Sequence, residues 1–171
     1  MIILRNERGA AVIELALVAP VLALTVVGIV DMSNAFSKKL GLEQGAQRAI
    51  EKIMNTTGDS TVESTLANEV QCQVNGSTTT GGVTTCNTSP TQTITVTWRL
   101  DCTTGGTTTS QSTTNSATYD GYVSACTGTK AGYVQVNVTD KYTPLFPIHF
   151  AAFNSGDSTY HLSATAGMRT F

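Results

Sequence analysis

Charge is scarce in this sequence. Ten lysines and arginines face twelve aspartates and glutamates in 171 residues, for 13% charged and a net of -2. No basic field exists to draw in a phosphate backbone, so nucleic acid is not an expected partner. Histidine is scarcer still, with only His149 and His161, and no pair of the four cysteines is spaced C-x-x-C. No zinc-binding spacing results. Asn154, Asp157 and Ser158 carry oxygens for a metal loop, yet their spacing fits no EF-hand. G-x-S-x-G, H-E-x-x-H and the P-loop are all missing. The expectation is a non-enzymatic chain without metal or cofactor.

What the sequence does have is unevenly placed. Ala10 to Val30 reads AAVIELALVAPVLALTVVGIV, apolar apart from Glu14 and Thr25. At about 1.5 Å per helical residue the run spans about 30 Å, the thickness of a bilayer core. Arg5 and Arg8 precede it and Asp31 closes it, which favours a cytoplasmic N-terminus and a C-terminal domain outside the cytoplasm. The run is too long for a secretory h-region, and a helical pattern follows it rather than a small-residue cleavage site. A carboxylate inside such a span is costly unless paired or near the interface, which marks Glu14 as a functional candidate. Pro20 removes one helix hydrogen bond mid-span, giving either a soft point or a static kink.

These residues carry a resemblance. Arg8-Gly9-Ala10-Ala11-Val12-Ile13-Glu14 resembles the processing site of type IV prepilins. The wider string RGAAVIELALVAPVLALTVVGIVDMSNAF, with Pro20 midway and Asp31 after it, resembles the TadE-like minor pilins, or pseudopilins, of tight-adherence (Tad) pili. The C-terminal strings VQVNVTDKYTPLFP and LSATAGMRTF are similar to the closing strands of that family, whereas 56 to 130 match nothing in it. Leu15 departs from the aromatic residue that many prepilins have after the glutamate. The resemblance implies cleavage between Gly9 and Ala10 by a prepilin peptidase on the cytoplasmic side. Glycine lets an extended backbone approach a protease cleft closely. Glu14 would then be the fifth mature residue, free to pair with the new amine of its own or a neighbouring chain and so set the register between packed helices.

Beyond the span, Asp31 to Asn55 keeps a helical pattern. Met32, Ala35 and Phe36 form one stripe, which Leu42, Ala46, Ala49, Ile50 and Ile53 continue. This half is expected against the head's own sheet, with a partner helix as the alternative. Gly58 offers a stop, and Ser60 to Glu63 fits a capping box for a short second helix carrying Val62, Leu66 and Val70. Residues 91–100, 133–139 and 160–171 alternate with period two, as half-buried antiparallel strands do. The Thr/Ser/Gly-rich stretches 76–85 and 103–118 are expected to be exposed loops. Cys72, Cys86, Cys102 and Cys126 suggest two disulfides in an oxidising compartment, with three connectivities open.

The expected fold class is therefore α+β, a long N-terminal helix packed on a small antiparallel head. Its parts are a leader at 1–9, a transmembrane helix at 10–30, an amphipathic continuation at 31–58 and a periplasmic or extracellular head at 59–171. The resemblance implies a minor pilin acting in initiation, assembly or tip capping of a Tad-type pilus. Its implied partners are the prepilin peptidase, other pilin subunits and the inner-membrane assembly platform. The implied location is the bacterial inner membrane, single-pass, with entry into a pilus. The alternatives are a membrane-anchored binding or assembly module and a signal-anchored enzyme.

Overall fold

The computed structural model describes residues 7–55, 60–146 and 153–171. Helix α1, Glu7–Asn55, runs 49 residues without interruption, through Pro20. A second helix, α2, Ser60–Asn75, turns back beside it. Arg48 donates to Gln73 at 2.8 Å, and Lys52 meets Glu69 at 2.7 Å. The two helices lie close at Gly45, where a Cβ would come within 2.5 Å of Val74 Cγ2. Glycine costs about 1 kcal/mol of helix propensity there, and the close crossing is what it permits. Gly58, the capping box and the Ile53 and Val62 side chains lie outside the described residues.

The head's main sheet has five antiparallel strands in the order β4-β3-β5-β7-β6. They are β3, Thr93–Thr104; β4, Thr107–Thr113; β5, Thr129–Tyr142; β6, Phe153–Asn154; and β7, Thr159–Arg169. Register aligns Trp98 with Val134 and Met168, and Val96 with Val136 and Ala166. The three alternating runs therefore put their apolar positions on one face. That face is covered by the amphipathic half of α1, by α2, and by a short helix α3, Ser116–Ala125. Leu42, Ala46, Ala49 and Ile50 of α1 are buried with Leu66 and Val70 of α2 in one core with the strand residues. The other face stays polar, with Arg99 paired to Asp101 at 2.7 Å and lying over the Tyr133 ring at 5.2 Å.

Three expectations need correction. The first expected loop is a β-hairpin, β1, Ser77–Thr80, with β2, Val83–Cys86. The second contains β4 and the start of α3. Each hairpin turns on a Gly-Gly pair at positive φ, Gly81-Gly82 and Gly105-Gly106. Such pairs give the tight turns whose twist suits hairpins, and threonine favours strands, so polarity alone misled. In α1, Met32 and Phe36 are exposed and only Ala35 of that early stripe is buried. The head reaches that part of the helix along a narrower line than the stripe suggests.

The cysteines form two disulfides, Cys72–Cys86 and Cys102–Cys126. The first fastens the β1–β2 hairpin to α2. The second fastens the end of α3 to the end of β3. Asn115 caps α3 by accepting from the Thr118 N–H at 3.1 Å, which satisfies one of the free donors of the first turn.

Candidate functional site: the apolar helix and its junction with the head

Among the described residues, the first half of α1 is exposed on all sides as far as Val26. Its most apolar 18-residue window has mean hydropathy 2.5, and none of it is buried. Large side chains such as Val12, Leu17 and Leu24 point outward. A helix apolar on all sides is stable only when lipid or other helices surround it. Gly9 and Ala10 lie in the opening turns of this helix, and nothing approaches the Gly9 Cβ position. The scissile candidate is thus helical rather than extended. Glu14 is exposed on the same bare surface. Gly9, Ala10, Glu14 and Pro20 share one free rod, while the four cysteines staple the head away from it.

The junction between rod and head centres on a residue whose partners no sequence pattern announced. Asp31, only 4% exposed, accepts hydrogen bonds from Tyr142 Oη at 2.9 Å, Leu145 N at 2.8 Å and Phe146 N at 3.1 Å. Three donors replace the water that burial removes, without which the carboxylate would be costly. Two turns on, Lys38 Nζ meets the buried carboxylate of Asp140 at 3.1 Å and the Lys141 carbonyl at 2.8 Å. Thr91 Oγ1 donates to Asp140 at 2.6 Å. The end of β5 is therefore tied to α1 at two levels, Asp31 and Lys38.

Beside it, Asp157 accepts from Lys141 at 2.8 Å, His161 at 2.7 Å and Thr159 at 2.8 Å. The Lys141 contact leads in holding the Asp157 carboxyl well below the usual carboxylate range. Among the described residues no group of three or more His, Cys, Asp or Glu side chains converges; in the loop of Asn154, Asp157 and Ser158, Asp157 is ion-paired with Lys141 and lies against His161. His149 lies outside the described residues.

The sequence model of the TadE-like protein family matches residues 9–50. The chain carries a TadE-like segment. The match begins at the Gly9 of the proposed cleavage site and ends at Ile50, in the half of α1 that packs on the sheet. The match likens this stretch to TadE-like proteins, a pilus-associated family that is structural rather than catalytic in kind. No curated protein and no solved structure matches the chain. The TadE-like region thus covers the rod and its docking half, and the head beyond it stands outside the match.

Proposed function

We propose that this chain is a minor pilin, or pseudopilin, of a Tad-type pilus, acting in pilus initiation, assembly or tip capping. The observation that carries the reading is the bare apolar half of α1, opening with Gly9 and Glu14 at prepilin spacing inside the TadE-like match. Such a surface requires lipid first and sister helices afterwards. In this reading a prepilin peptidase cuts between Gly9 and Ala10 from the cytoplasm. The helix stays in the inner membrane with the head in the periplasm, consistent with two disulfides. Glu14 pairs with the new amine of Ala10, on its own chain or a neighbour's, and sets axial register. Pro20 eases the passage of the helix from bilayer to bundle. The assembly platform and other pilins are the partners.

The test is the mass of the N-terminal peptide from protein taken from its native membrane. The expected mature chain starts at Ala10. A start at Met1, or a cut near Val30, overturns the proposal. A second reading keeps the anchor and makes the head a binding module. It is favoured by the open polar face of the sheet, where Arg99, Tyr133, Gln135 and Arg169 line a shallow groove.

A further inference from the structure

The end of the head nearest the membrane is built differently from the rest of its surface. Asp31 stands one residue after the apolar run, and it holds the backbone of Leu145 and Phe146. That contact fixes the start of the β5–β6 connection at the level where the helix leaves the bilayer. The side chains so placed are apolar and outward, with Leu145 65% and Phe146 38% exposed. Their N–H groups are already satisfied by Asp31, which removes the main cost of bringing irregular backbone toward lipid.

The cover on the helix also continues below Asp31. Gly28 is buried and Val27 is half-buried.

The neighbouring layers run in the order a bilayer surface imposes. Tyr142 and Tyr160 lie with ring centres 6.4 Å apart, and Phe153 meets Tyr160 edge-on at 5.4 Å. Tyr142 is itself bonded to Asp31, so this cluster sits at the helix exit, where amphipathic aromatic rings favour the headgroup region. The cations Lys38 and Lys141, held on Asp140 and Asp157, come next. Asp31 and Lys38 are seven residues apart, or about 10 Å along the helix. Apolar, aromatic and charged side chains thus succeed one another over a headgroup's thickness.

We propose that Leu145 and Phe146 form a lipid-inserting foot. They enter the acyl–headgroup boundary beside α1, with Asp31 as the positioning residue and the aromatic cluster at the headgroups. The head would then be held to the membrane at two points, restricting its rotation about the helix until the subunit leaves the bilayer. Lipid is favoured over a second copy of the chain for two reasons. The patch is continuous with the lipid-facing run, and two side chains fall far short of the roughly 800 Å² a stable protein interface takes from each partner. The inference rests on the membrane-anchored reading above.

The test uses the full chain in phosphatidylcholine vesicles whose acyl chains are brominated either near the glycerol or near the methyl end. Phe146→Trp is the foot reporter, Leu22→Trp the mid-span reporter, and the unsubstituted chain, with Trp98 buried in the head, the baseline. The foot reporter's added emission should fall at least twofold with shallow bromines and less with deep ones. The mid-span reporter should show the reverse order, and the baseline should not change. Leu145→Trp, read the same way, covers the case in which Phe146→Trp disturbs the loop. Quenching at mid-span with none from either foot reporter overturns the foot and leaves the anchor standing. No quenching anywhere overturns both. Unquenched foot emission that is blue-shifted and reverts on dilution with lipid assigns the patch to a second copy, which also overturns the foot.

Discussion

Leu42 and Leu40 test whether α1 is a working part of the head. They are two residues apart on one helix, yet Leu42 is 0% exposed and Leu40 is 54% exposed. Leu42 lies in the core with Val136 and Leu66, so Leu42→Ala removes buried methyl groups and leaves a cavity. Such truncations cost 2–5 kcal/mol, and about 3 kcal/mol is a fair central value. Leu40→Ala, on the open face, should cost about 0.5 kcal/mol or less. With a urea slope of about 2 kcal/mol/M, the two midpoints should fall by about 1.5 M and about 0.25 M. The assay is urea unfolding of the full chain in detergent micelles, followed by the emission of Trp98, the single tryptophan. Trp98 is buried on the covered face of the sheet, so its signal reports the packing in question. Equal shifts for the two variants would refute the docking of α1 on its own sheet. They would return the partner-helix alternative for residues 31–55.

Removing Cys102–Cys126, which closes 24 residues, should cost about 3.5 kcal/mol, and Cys72–Cys86, which closes 14, about 3 kcal/mol by loop entropy. Serine pairs measured by the same urea assay check this, and an unchanged midpoint would argue against that linkage. Acid should destabilise the head. Hydrogen bonds from Lys52, Arg99 and Lys141, in that order, depress Glu69, Asp101 and Asp157. A depressed carboxylate stabilises fully above its unfolded pKa, near 4, and loses that contribution as pH falls through its folded value. The urea midpoint should therefore hold from pH 7 to about 5 and fall below about 4, less steeply in Asp157→Asn. Glu14→Gln should leave the midpoint unmoved, because Glu14 is exposed on the bare rod, yet reduce co-purification with sister pilins. Normal co-assembly would remove Glu14 from register setting.

Local pattern was enough wherever a single periodicity decided the outcome. The apolar run from Ala10 to Val30 declares its length and its apolar character without reference to the rest of the chain. The period-two runs around Val96, Val136 and Ala164 declare strands because alternate side chains must face opposite sides. The Gly-Gly turns carry a hairpin signal of their own, but the surrounding Thr/Ser content is equally that of a polar loop, and only strand pairing separates the two. Helix α3 had only Asn115 as a start signal. Cysteine pairing could not be read, because spacing permits three connectivities and only the fold brings Cys72 to 4.5 Å from Cys86, Cα to Cα.

The junction was beyond any local reading. Asp31 and Tyr142 are 111 positions apart, and nothing near either one names the other. They meet because α1 lies along β5, and α1 lies there because Leu42, Ala46 and Ala49 find the apolar face of a sheet made by three distant segments. One-dimensional periodicity fixes which side of an element is apolar, but only packing chooses which elements share that side. The apolar rod is therefore a property of its own stretch of chain. The placement of the head on that rod, through Asp31 and Lys38, belongs to the folded molecule.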